Sequence, residues 1–131
     1  MESIEGNKLI VKLQKDLAKN GMKKLDGIID GLKELRPFAL EEQDPTLTKV
    51  IRLTYEHLEA NNTFNIPLPA DEAITETEGD EEAEVELIQN EIESDEDRVE
   101  SLDYLLSLML DRNNPTNRQE MFEYRDALKA Y

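Results

Sequence analysis

The stretch SDEDRVESLDYLLSLML, residues 94–110, decides the fold of this chain. Its second half, from Val99 to Leu110, places apolar residues at steps of three and four, the spacing of an apolar face on an α-helix. Its first half is acidic, and Ser94 followed by Asp97 has the pattern of a capping box, which closes the start of a helix with reciprocal hydrogen bonds. The stretch therefore predicts a core helix.

The charge of the chain lies mainly just before this helix. Residues 71–97 contain fourteen Asp and Glu and no Lys or Arg, whereas residues 1–70 contain eleven acids and ten bases and residues 98–131 contain six and five. The net charge of −16 is therefore the property of one segment. Because such a segment repels itself and resists compaction, we expect an ordered helical body that carries an acidic, partly flexible insert.

Two structures compete for the acidic segment. Apolar residues continue the stripe of the core helix back to Val85, which predicts one helix over 82–112. The capping pattern at Ser94, together with the preference of acids for the first turn of a helix, instead favours a break there. Residues 71–97 are thus either a linker or a helix extension, and disorder is expected over 70–80.

Apolar stripes also predict helices before the insert. The first covers 4–19 and is followed by an Asn-Gly pair, which is a natural helix end. A second stripe runs from Met22 to Leu35 almost in phase with the first, so one longer, kinked helix is the alternative. Pro37 is expected to end this stripe, because proline lacks the amide hydrogen that a helix interior requires.

Further start signals divide the rest of the chain. Asp44 can cap a helix whose first residue is Pro45, where a missing amide hydrogen costs nothing. Two closely spaced prolines predict an extended arm over 63–70, with its apolar side chains against the bundle. Thr116 and Gln119 fit a capping box for the last helix.

Together these elements predict an all-α protein, a small antiparallel bundle of four to five helices in a single domain spanning 1–131. The helical body covers 4–62 and 95–131, and the arm and the acidic segment lie between its two parts. Leucine, with 18 residues, outnumbers isoleucine and valine together, which suits helices better than strands. Short connections between the helices favour antiparallel neighbours.

The residue types present leave little room for catalysis. There is no cysteine, and His57 is the only histidine. Its neighbours Glu56 and Glu59 would repel a phosphoryl group, so a structural histidine at a helix edge, partly covered by its neighbours, is the simpler interpretation. A calcium loop beginning at Asp95 would lack the turn glycine and the final bidentate acid. We expect no catalytic residue, no metal and no cofactor.

The charge also limits the partners. A basic surface is needed to neutralise phosphates, so the acidic balance argues against direct nucleic-acid binding and against anionic membranes. No run approaches the ~20 apolar residues of a membrane span, and the expected location is cytoplasmic. A protein partner, basic in character, is the expectation.

Two groups of residues are candidates for such contacts. The first would anchor an acidic amphipathic helix that orders on a basic partner, and it comprises Val85, Leu87, Ile88 and Ile92. The second is Gly27 and Gly31, which lie four residues apart and mark a helix face that another backbone could approach closely, within the chain or between protomers. A homodimer is expected if residues 82–112 form one long helix.

These observations favour a non-enzymatic helical protein that acts through protein–protein contacts, as an adaptor or a regulator. One alternative is an acidic regulator or nucleic-acid mimic that occupies a basic surface. Another is an enzyme whose site the sequence does not reveal. A helical bundle is compatible with all three, because the same fold hosts unrelated functions.

Overall fold

Five α-helices are present in the computed structural model, which describes residues 1–69, 71–75, 84–88 and 92–131. They are α1 (Ile4–Asn20), α2 (Leu25–Glu41), α3 (Pro45–Asn61), α4 (Asp95–Leu110) and α5 (Pro115–Ala130). A 3₁₀ helix at Gly21–Lys23 separates α1 from α2, so the two-helix prediction is confirmed and the single kinked helix is wrong. The predicted all-α bundle is confirmed.

The five helices form a closed ring. Helix α1 packs on α2 and α4, α3 packs on α2 and α5, and α4 also packs on α5. Successive helices alternate in direction, but a closed ring with an odd number of members must contain one parallel pair, and here it is α3 with α5. Near their first turns, Arg118 Nη1 lies 2.9 Å from Asp44 Oδ2. Near their last turns, the ring of Tyr131 lies 4.6 Å from that of His57.

The extended arm contributes to the core of the ring. Phe64 and Ile66 are buried, which confirms that the arm packs against the bundle. The Ser101 hydroxyl donates to the Ile66 carbonyl at 2.7 Å, and the Tyr124 hydroxyl donates to the Ser101 carbonyl at 3.0 Å. Burial raises the pKa of Tyr124 far above its ordinary value. This buried hydrogen-bond network joins the arm to α4 and α5.

The helix starts at Asp44 and Ser94 are confirmed. Asp44 Oδ1 accepts the N–H of Leu47 at 3.2 Å, and Pro45 is the first residue of α3. Ser94 and Asp97 form the predicted capping box, in which Asp97 Oδ2 accepts the Ser94 N–H at 3.2 Å. Since α4 begins at the residue after Ser94, the single helix over 82–112 is wrong. The argument for a homodimer depended on that helix and falls with it.

Within the acidic segment, residues 71–75 and 84–88 form two short strands instead of a helix extension. Strand β1 (Asp71–Thr75) pairs antiparallel with β2 (Glu84–Ile88), with Asp71 opposite Ile88 and Thr75 opposite Glu84. Residues 70, 76–83 and 89–91 lie outside the described part of the chain, and the disorder expected over 70–80 falls largely on them.

One predicted helix end is wrong, and one predicted cap lies at a different residue. Helix α2 continues past Pro37 to Glu41. The proline is exposed, so the carbonyl one turn earlier can turn to water, while Ala39 beyond it is fully buried and holds the last turn on the core. Helix α5 begins at Pro115 with Asn114 as its cap, because Asn114 Oδ1 accepts the N–H of Thr116 at 2.9 Å and replaces the expected capping box at Thr116.

His57 has a structural role in this bundle. Its side chain is buried, and its Nε2 accepts the N–H of Asn65 at 3.0 Å. The ring packs edge-on against Phe64 at 5.6 Å and against Tyr131 at 4.6 Å. Burial lowers the pKa of His57. The neutral imidazole thus ties α3 to the arm and to the end of α5.

We expect His57 to make the fold sensitive to mild acid. The pKa of His57 in the folded state lies below its unfolded value of about 6.5. The stability that the neutral imidazole gives the fold is therefore complete above that pH and is lost as the pH falls further. A protonated Nε2 also cannot accept the N–H of Asn65. Between pH 7 and 5.5, the free energy of unfolding in urea should fall by more in the wild type than in His57→Gln. Equal losses in both proteins would contradict this role.

Candidate functional site

The interaction residues predicted from sequence do not come together as one site. Strand β2 contains Val85, Leu87 and Ile88, so these residues do not lie on one face of a helix. Ile92 precedes the cap of α4. The two glycines differ from each other, as described next. The acidic amphipathic helix was expected to order on a basic partner, so it stays a prediction.

Gly31 and Gly27 have different surroundings on α2. A Cβ atom placed on Gly31 would collide with Leu13 of α1, so Gly31 permits a close approach of α1 within the chain. A Cβ on Gly27 would meet nothing within 4 Å, and Gly27 is exposed. The two glycines therefore do not form a shared contact face.

A groove does lie between the second half of α1 and the first half of α4, with a cavity of about 480 Å³. Its apolar floor includes Leu17, Met22 and Val99. Leu17 is fully buried, while Met22 and Val99 are only half-buried and pack at the edge of the core. The groove thus offers apolar side chains that the bundle itself does not fully cover.

Gly21 lines this groove in a backbone conformation that favours glycine. Gly21 follows α1 with φ of 58°, a left-handed conformation that glycine adopts without strain. A Cβ at this residue would lie 3.8 Å from Val99 Cγ2, in ordinary contact across the groove. The 3₁₀ helix that begins at Gly21 packs on α4, and it forms one end of the groove.

One wall of the groove is acidic. Asp95, Glu96, Glu100 and Asp103 line it from α4, and Lys23 is the only cationic side chain among the residues that line it. Burial raises the pKa of Asp103 in spite of its hydrogen bond with Gln14. Asp95 is paired with Arg98, whose Nη1 lies 2.7 Å from Asp95 Oδ1. An apolar floor beside a carboxylate wall suits a ligand that is itself both apolar and basic.

The groove stands next to the acidic segment. The first turn of α4, which supplies Asp95 and Glu96 to the wall, directly follows the segment that contains β1 and β2. The sequence showed the acids but not the groove. Met22 and Val99 belong to apolar stripes, so the sequence does not distinguish them from fully buried core residues. The exposed part of each side chain depends on how α1 packs on α4.

Other kinds of site find no counterpart among the residues that the structure describes. In those ranges, no three His, Asp or Glu side chains gather closely enough to hold a metal ion. The described helices also include none with the length and apolar character of a membrane span.

Comparisons of the chain with protein-family models, with curated proteins and with solved structures find no match in any of the three.

Proposed function

We propose that this protein is a non-enzymatic binding module that holds a basic, amphipathic segment of a partner protein in the groove between α1 and α4. The observation that carries the proposal is the acidic wall beside a half-covered apolar floor. Apolar residues of the partner would cover Met22 and Val99, and its Lys or Arg side chains would face the carboxylates.

Charge supports a basic partner over a neutral one. Four carboxylates line the groove against one lysine, and two of them, Asp95 and Glu96, belong to residues 71–97, which carry no base at all. Such a surface attracts cations during diffusional encounter and gives binding that weakens with salt. The acidic segment would thus accelerate association, while the groove would fix the position of the partner segment.

An adaptor or regulatory role in the cytoplasm is consistent with this mode of binding. The alternative of an acidic regulator that covers a basic surface uses the same charges, and it differs in requiring no contact with the apolar floor of the groove. A contact in the groove requires its apolar floor, so substitutions in α4 and α1 separate the two roles.

We expect two charge reversals in the groove to weaken binding of a basic amphipathic peptide. The probe is a labelled synthetic helix with leucines on one face and lysines on the other, followed by fluorescence anisotropy. The variant Glu96→Lys with Glu100→Lys should raise Kd about tenfold, as expected for the loss and reversal of two partly exposed charge contacts.

The matched control changes the net charge equally on another surface. Glu34→Lys with Glu41→Lys places the same four units of charge on exposed positions of α2. Kd should change much less for this control than for the groove variant. If both double variants weaken binding alike, the peptide responds to overall charge and the groove is not the site.

A further inference from the structure

A second groove lies where the end of α2 meets the start of α3, with a cavity of about 430 Å³. Three cationic side chains line it, Arg36 from α2 and Lys49 and Arg52 from α3. Most of the excess negative charge of the chain belongs to residues 71–97. Residues 1–70, which include this groove, carry eleven acids and ten bases. The groove is therefore a basic site on an acidic protein.

Two of the guanidinium groups have unused donors. In the described part of the chain, Arg36 Nε and Arg52 Nε are buried and have no hydrogen-bond partner. Arg52 Nε approaches Glu56 Oε1 only to 3.8 Å, too far for a hydrogen bond. Because buried donors are nearly always satisfied in folded proteins, these two nitrogens point to an acceptor that a ligand would supply.

The third cation, Lys49, lies near other cations. Lys49 lies beside Lys129 of α5, and this like-charged neighbour lowers the pKa of Lys49, with Arg52 and Arg125 adding to the effect. An anion placed among these side chains would relieve their mutual repulsion.

The one carboxylate that lines the groove is already neutralised. Asp44 accepts hydrogen bonds from Arg112 Nη1 at 3.0 Å and from Arg118 Nη1 at 2.9 Å. Its side chain is 3% exposed, so it presents little negative charge to the cavity. It does not oppose an anion bound by Arg36, Lys49 and Arg52.

The groove also has an apolar side. Leu40 is 51% exposed and lines it together with Pro45. Ligand sites of this size commonly combine apolar walls with a few charged groups that orient the ligand. We propose that the groove binds a small organic anion, with its oxyanion head held by Arg36, Lys49 and Arg52 and its apolar body against Leu40 and Pro45.

Phenyl phosphate is a suitable probe, and amide chemical shifts from NMR report both its affinity and its location. We expect saturable shifts around Leu40, Thr48 and Lys49 with Kd near or below about 1 mM, which is the range for a ligand of this size. Benzoate tests whether a carboxylate head serves as well as a phosphate. Phenol lacks the charged head and inorganic phosphate lacks the ring, and each should bind at least tenfold more weakly than phenyl phosphate.

Arg36→Gln with Arg52→Gln should raise Kd for phenyl phosphate at least tenfold. Lys12→Gln with Lys15→Gln removes the same charge from exposed positions of α1 and should leave Kd within a factor of two. Thermal unfolding of both double variants establishes that they are folded. Equal Kd values for the two variants, an absence of saturable shifts in the wild type, or phenol binding as tightly as phenyl phosphate would overturn the proposal.

Discussion

Replacing Asp44 with alanine is expected to destabilise the protein by about 3 kcal/mol, because one side chain caps a helix and also neutralises buried cations. Asp44 accepts the N–H of Leu47 at the start of α3 and is 3% exposed. It also pairs with Arg112, whose side chain is only 11% exposed, and with Arg118. Alanine would leave these donors short of an acceptor in a place that water scarcely reaches.

The charge state of Asp44 agrees with this role. Burial alone would raise its pKa, but the hydrogen bonds from Arg118 and from the N–H of Leu47, with the charges of Arg118 and Arg112, outweigh burial and lower it. The carboxylate is therefore held in its charged form. Its partner Arg112 also contacts Glu42 at 3.0 Å and Glu2 at 3.4 Å. The resulting cluster of ion pairs joins three segments that are distant in sequence.

Urea denaturation followed by circular dichroism measures the loss. Asp44→Asn keeps a capping oxygen but removes the charge, and we expect a loss between those of the wild type and Asp44→Ala. Asp30→Ala, at an exposed position on α2, should change the free energy of unfolding by less than about 0.5 kcal/mol. A loss below about 1 kcal/mol for Asp44→Ala would mean that Asp44 acts as a cap alone.

Local signals in the sequence located most of the helix ends. The caps at Asp44 and Ser94 depend on hydrogen bonds that span three residues, so the sequence next to each cap contains all the information required. The prediction that Pro37 ends its helix is wrong because it used only the neighbouring sequence. Whether a helix tolerates a proline depends on the solvent exposure of that position and on the burial of Ala39 beyond it, and only tertiary packing decides both.

The acidic segment shows how two periodicities can overlap. Val85, Ile88 and Ile92 are spaced as on a helix, but Glu84-Val85-Glu86-Leu87 also alternates polar and apolar residues with the period of a strand. Short apolar runs of this kind do not distinguish the two structures. The pairing of β2 with β1 decides for the strand, and strand pairing is a contact between residues that are distant in sequence.

The two candidate grooves were beyond the reach of the sequence for a related reason. Acids before α4 and scattered cations in α2 and α3 are visible in the sequence. That Met22 and Val99 remain half-covered, or that Arg36 and Arg52 line one cavity, follows only from how neighbouring helices pack. Sequence reasoning singled out the acids of the first groove but not the cations of the second, and the arrangement of the helices around the ring makes each surface a groove.

Leucine at Gly31 is expected to destabilise the protein by about 3 kcal/mol, whereas leucine at Gly27 should be neutral or stabilise it slightly. Both glycines lie inside α2, so both substitutions gain the same helix propensity, worth up to about 1 kcal/mol. A Cβ at Gly31 would collide with Leu13 Cδ2 and lie only 3.2 Å from its Cγ and 3.3 Å from its Cδ1. Leu13 is 2% exposed and belongs to the hydrophobic core.

The difference between the two variants isolates the close approach of α1 to α2. Urea denaturation of Gly31→Leu and Gly27→Leu under the same conditions cancels the propensity term, and what remains is the cost of overfilling the contact with Leu13. Gly31→Leu combined with Leu13→Ala should recover part of that loss, because the smaller side chain vacates the space that the new leucine needs. Equal stability of the two single variants would show that α1 and α2 can separate freely, and that Gly31 is not required for their packing.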